Sequence, residues 1–157
     1  MVTTTEFKVE TEAREVVMTR VFDAPRETVF RALTDPELIP KWWGPRGYTT
    51  RIDKMDLRPG GAWRFVQHDL EGNEHAFRGE HREVLPPERL VITFEYEGMP
   101  GHVSLQTLTL EEVEGKTRVV SIARFENDAD LEGMVQSGME KGAVESWERL
   151  AEIIEQA

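Results

Sequence analysis

Cysteine is absent from this 157-residue chain. Disulfides, thiol nucleophiles and thiolate metal sites are therefore excluded. Positive charge is scarce too: 19 Lys and Arg face 30 Asp and Glu, for a formal net charge of -11 at pH 7. A surface of that sign repels phosphate backbones, so nucleic acid is not expected as a partner. No apolar run approaches the length of a membrane span, and no membrane insertion is expected. The opening residues MVTTTEFKVE lack the basic head and apolar stretch of a secretory signal, which makes a cytoplasmic location the expectation.

The remaining composition is that of one soluble globular domain, 39% hydrophobic and 31% charged, over residues 1–157. Residues 1–13 read as a loose lead-in. "REVVMTRVFDA" (14–24) is β-rich and forms the expected first strand. Pro25 then suits a helix start, with Val29, Phe30 and Leu33 on one apolar face. Pro36 and Pro40 limit the next stretch to a second short helix ending near Trp42.

From about residue 46 to 126 six strand-like runs alternate with short turn signals, the pattern of an antiparallel meander. In "LVITFEY", Leu90, Ile92, Phe94 and Tyr96 share one face. The tail, about 129 to 156, returns to helical spacing, with Met139, Ala143, Trp147, Leu150 and Ile154 forming an apolar stripe. Such a helix, some 25 residues long, would span roughly 38 Å. Gly133, Gly138 and Gly142 are costly inside it, so either a close approach to the sheet or a break near residue 138 is expected. The expected architecture is α+β: a curved sheet of seven antiparallel strands wrapped around one long C-terminal helix. A cavity is expected where sheet and helix diverge.

The segments "FDAPRETVFRALTDPELIPKWWGP", "RPGGAWRF", "REVLPPERLVITFEY" and "SGMEKGAVESWERLAEI", in that order, resemble the activator-of-Hsp90-ATPase (AHSA1-like) branch of the START/Bet v 1-like (SRPBCC) superfamily. The resemblance covers about residues 14 to 156. It implies a helix-grip fold with a hydrophobic cavity between sheet and long helix. It does not select among the carriers, receptors and cyclases that share this fold.

Candidate chemistry is sparse. His68 and His75 flank the turn "DLEGNE". A two-residue turn at Glu71-Gly72 would set them opposite each other, whereas a turn at Gly72-Asn73 would separate them. No third ligand or metal-binding spacing accompanies them, so no metal or other cofactor is expected. There is no GxSxG motif, and Ser104, Ser121, Ser137 and Ser146 have no His near them in sequence. "RPGG" is a turn rather than a phosphate loop.

His81 and Glu83 hold more promise. If the "LPPERL" connection is a four-residue loop, Pro86 to Arg89, then Glu83 faces Ile92 and His81 faces Phe94, with Gly79 and Tyr96 completing the row. An imidazole, a carboxylate and a phenol would then share an apolar wall, the setting in which burial shifts pKa values for proton transfer. A one-residue slip would send His81 and Glu83 to the other face.

The adjacent Trp42 and Trp43 in "KWWGPRGY" cannot both point the same way. Either one packs inward while the other lies over the cavity mouth, or both anchor a tight turn. The expected lining comprises Trp63, Phe65, Ile92, Phe94, Tyr96, Leu108, Met134 and Trp147, with Trp42 and Trp43 at the mouth and His81, Glu83 and Tyr96 as orienting polar groups. The first reading is a binding protein for a small hydrophobic or amphipathic molecule. The alternatives are a cyclase- or hydrolase-like enzyme using the same cavity, or a chaperone-linked interaction module. A homodimer through sheet edges or the Trp loop is a further possibility.

Overall fold

The computed structural model describes residues 4–155. Eight strands form one fully antiparallel sheet: β1 (Glu6–Glu10), β2 (Glu15–Phe22), β3 (Thr49–Met55), β4 (Ala62–His68), β5 (Glu74–Leu85), β6 (Arg89–Tyr96), β7 (Val103–Val113) and β8 (Lys116–Arg124). Their spatial order is β1-β2-β8-β7-β6-β5-β4-β3. The helices are α1 (Arg26–Thr34), α2 (Asp128–Gln136) and α3 (Met139–Ile154). A single 3-10 turn at Ile39–Lys41 stands where a second short helix was expected.

The strand count is one higher than the sequence suggested. Within the segment expected to be loose, Glu6–Glu10 pairs with β2 from Glu6↔Thr19 to Glu10↔Glu15. The alternation Phe7, Val9 continues the buried alternation Val16, Met18, Phe22 across the pair, and Phe7 and Val9 pack onto the core. Two apolar positions flanked by charge are a weak periodic signal in isolation. They become a strand only because β2 offers a partner.

The expected long helix is two helices. α2 ends at Gln136, and Gly138 adopts φ 81°, the left-handed region that a side chain resists, before α3 begins. Of the two routes by which the glycines could be accommodated, the break at 138 is the one taken there. A Cβ on Gly133 would meet open space. The 16 residues of α3 span roughly 24 Å and seat Trp147 edge-on against Phe22, with ring centroids 5.7 Å apart.

The excursion between β2 and β3 carries α1 and the Trp pair from near one edge of the sheet to the opposite edge strand. Phe22, Val29, Phe30, Ile39 and Leu150 are buried in one core cluster where this excursion meets α3 and the concave face. The β4–β5 and β6–β7 hairpins turn at the other end of the sheet. There His102 Nδ1 lies 2.7 Å from Asp130 Oδ1, tying the β6–β7 turn to the first turn of α2.

Candidate functional site

The concave face of β4, β5 and β6 is built of aromatic rings because their alternation registers them side by side. Phe65 pairs with Phe77, and Phe77 with Tyr96. Centroid distances are 4.8 Å for Trp63–Phe65, 5.5 Å for Phe77–Phe94 and 5.2 Å for Phe77–Tyr96. Gly79 makes this packing possible. The Trp63 indole crosses β5 at that position to donate from Nε1 to the Thr93 carbonyl at 3.2 Å, and a Cβ on Gly79 would lie 2.6 Å from the same nitrogen.

Trp42 and Trp43 take opposite roles. Trp42 is buried, and its indole donates to the Ala32 carbonyl of α1 at 2.9 Å. Trp43 is half-buried and stands edge-on to Phe65 and Phe77, at 5.3 and 5.1 Å. The loop that carries them is gripped by α3. Ser146 Oγ accepts from Gly44 N at 2.8 Å, and Arg149 donates to the carbonyls of Lys41, Gly44 and Pro45. Arg46 completes the clasp through an ion pair with Glu152.

The other expected lining residues divide into three groups. Phe94, Tyr96 and Ile92 are half-buried on the concave face. Trp63, Phe65, Leu108 and Trp147 are buried core residues. Met134 packs in a separate cluster with Val16, Ala123 and Leu131, under α2.

The His81–Glu83 arrangement does not form. The β5–β6 turn is one residue shorter than expected, with Glu88 N donating to Leu85 O at 2.7 Å and Leu85 pairing with Arg89. A bulge between His81 and Glu83 then shifts the register again, so Glu83 lies beside Val91 and His81 beside Ile92. Glu83 faces outward and pairs with Arg89 at 3.2 Å. His81 faces inward, 2% exposed, with Nδ1 3.1 Å from the Gly61 carbonyl. One inserted residue separates the two side chains onto opposite faces.

A different polar group takes the place beside the aromatic row. His75 lies between Asp69 and Tyr96, with Nε2 2.9 Å from Asp69 Oδ2 and Nδ1 2.9 Å from the Tyr96 hydroxyl. Asp69 is fixed by the turn it caps, accepting from the backbone N–H groups of Glu71 and Asn73 at 2.9 Å each. The His75 hydrogen bond, together with those of the turn, holds the Asp69 carboxyl well below its usual range. Neither expected turn register for "DLEGNE" occurs: Gln67 pairs with His75, and His68 with Glu74. His75 thus joins the concave face while His68 turns away. The Asp69-x5-His75 spacing was visible in sequence, but only the turn geometry folds the carboxylate back onto the ring. Among the described residues, no group of three or more His, Asp or Glu is disposed to hold a metal ion. No helix among them is long and apolar enough to cross a membrane.

Comparison with known proteins agrees with this architecture. Protein Ms6760 from Mycobacterium smegmatis is 22% identical, with 97% of each chain covered and a TM-score of 0.89. A Rhodobacter sphaeroides protein is 25% identical over 98% of this chain and 99% of its own, with a TM-score of 0.89. Protein CV1439 from Chromobacterium violaceum is 28% identical over 92% and 99%, with a TM-score of 0.81. No protein of curated function matches the chain. The sequence profile described as "Activator of Hsp90 ATPase homolog 1-like protein" matches residues 23–155, nearly the whole chain. With the helix-grip architecture, that match makes the chain a member of the activator-of-Hsp90-ATPase homologue family.

Proposed function

We propose that the protein binds a small, flat, hydrophobic or amphipathic molecule against the concave face of β4–β6, beside the Trp43 loop. The observation that carries this reading is the row of half-buried rings Trp43, Phe77, Phe94 and Tyr96, continuous with the core. Phenylalanine rings of a core are most often covered completely. A contiguous row left half-covered, with a few polar groups beside it, has the composition of a ligand site. A chaperone-facing role rests on the family's name alone, and acid–base chemistry through His81 and Glu83 has lost its geometry.

The test is a titration with 2-naphthol, 2-methoxynaphthalene, flavone and palmitate, monitored by tryptophan emission and thermal unfolding. Ligand at about 100 times Kd adds about 2.7 kcal/mol of stability, which for a chain of this size raises Tm by roughly 5–10 °C. Trp43→Ala should weaken binding by about tenfold or more while the chain stays folded, since stacked aromatic anchors dominate such sites. If no compound quenches or stabilises, or if Trp43→Ala binds as the wild type does, the reading is wrong.

A further inference from the structure

We infer that the Asp69–His75–Tyr96 chain ends the aromatic row in a proton acceptor, so that the site takes a flat aromatic ligand bearing an acidic hydroxyl and holds it as its phenolate. This deepens the reading above and rests on it.

The assignment depends on which atom can donate. Asp69 carries three other hydrogen bonds, from Glu71 N, Asn73 N and Asn73 Nδ2, all of which require it to accept. A carboxylate so occupied is ionised and can only accept from His75, so the proton of the neutral ring sits on Nε2. Nδ1 is then the bare nitrogen, and the Tyr96 O–H donates to it. The Tyr96 oxygen therefore offers the concave face lone pairs and no hydrogen. Its complement is a hydrogen-bond donor on an aromatic body, which is a phenol.

Ring positions agree. Tyr96 lies beside Phe77, with ring centroids 5.2 Å apart, and Phe77 in turn contacts Trp43 and Phe94, so a bicyclic ligand laid on those rings brings its edge to the Tyr96 oxygen. The Tyr96 ring itself is held by the turn. Gly98 lies so close that a Cβ there would stand 2.7 Å from the hydroxyl oxygen and 2.5 Å from Cζ.

Proton transfer balances without any co-reactant. The ligand O–H bond breaks and its proton goes to the Tyr96 oxygen. The Tyr96 proton passes to His75 Nδ1. The product is a bound phenolate and an imidazolium paired with Asp69, with no change in net charge or oxidation state. The remaining groups around His75 do not interfere. Its cross-strand neighbour is the neutral Gln67. Glu74 turns to the other face, where it pairs with His68, and Glu97 is held by Arg64.

The probe is 2-naphthol, whose naphtholate absorbs at longer wavelength than the neutral form, with 2-methoxynaphthalene as the partner lacking the O–H. Bound 2-naphthol should ionise about 1–3 pH units below the free compound, the usual effect of a neighbouring opposite charge. It should also bind at least about tenfold more tightly than its methyl ether. Tyr96→Phe and His75→Gln should lose both the shift and the preference for 2-naphthol over its methyl ether, read by absorbance and tryptophan quenching. Asp69→Asn should reduce it. Circular dichroism checks that each variant is folded. Quenching by both compounds with an unshifted naphthol titration overturns the relay and leaves the aromatic site standing. So does a shift that survives in Tyr96→Phe. Absence of quenching by either compound overturns both readings.

Discussion

Asp69 shows how much a single carboxylate can organise. It caps the β4–β5 turn, orients His75 and stays ionised because every neighbour donates to it. Its folded pKa is depressed, so the stability it contributes is present above the ordinary carboxylate range and is lost as pH falls through the folded value. Urea midpoints of the wild type and Asp69→Asn should therefore differ by a constant amount between pH 7 and about pH 5. The gap should narrow below about pH 4, where the unfolded carboxyl begins to protonate. A gap independent of pH would mean that Asp69 acts through turn shape alone and not through charge. His81, by contrast, shows that a buried histidine need not be chemical: its nitrogen is satisfied by the Gly61 carbonyl, and the ring fills space.

Among the elements, α3 does the most to place the site, through hydrogen bonds that hold the Trp43 loop. The Arg149 guanidinium reaches three loop carbonyls, those of Lys41, Gly44 and Pro45, and burial pulls its pKa below the ordinary value. Arg149→Ala should cost about 1.5–3 kcal/mol, the range for hydrogen bonds to a charged group, measured by urea unfolding. Arg149→Lys should recover only part of that, because a point charge cannot fork to three acceptors. Equal stability of all three proteins would show that Ser146 and Arg46 suffice to hold the loop. The break at Gly138 belongs to the same scale. It separates α2, tethered to the β6–β7 turn through His102 and Asp130, from α3, which carries the loop clasp.

At the scale of the molecule, charge is the dominant long-range term. A net charge of -11 on a chain this small opposes compaction. The ion pairs that relieve it, such as Arg46–Glu152 and Arg14–Asp128, are largely exposed and individually weak. Raising sodium chloride from about 10 to about 200 mM shortens the Debye length from roughly 30 Å to below 10 Å. It should raise Tm by differential scanning fluorimetry, because self-repulsion is long-ranged and the pairs are short-ranged. A fall in Tm would show that the pairs outweigh the repulsion. Both edge strands carry charged side chains, Lys8 and Glu10 on β1 and Arg51, Asp53 and Lys54 on β3, the arrangement that discourages edge-to-edge pairing.

Fold class, the run of strands from β2 to β8 and most of the face assignments were legible in the residues alone. Period-2 alternation in β2 and β6 and the period-3.6 stripe of α3 are local consequences of burying one face, and such signals survive without knowledge of partners. The cost of glycine inside a helix was likewise readable, and the chain does break at Gly138. Folding in three dimensions settled the rest, where the outcome turned on one residue of register or on a partner distant in sequence. β1 exists because β2 is there to pair with it. The His81–Glu83 row failed because a turn one residue shorter sent Glu83 to the other face while a bulge returned His81 to the inner one, and period 2 leaves no tolerance for such shifts. The relay of Asp69, His75 and Tyr96 was hidden for the same reason: its atoms come together only through a capped turn and a cross-strand pairing, neither of which hydrophobic patterning encodes.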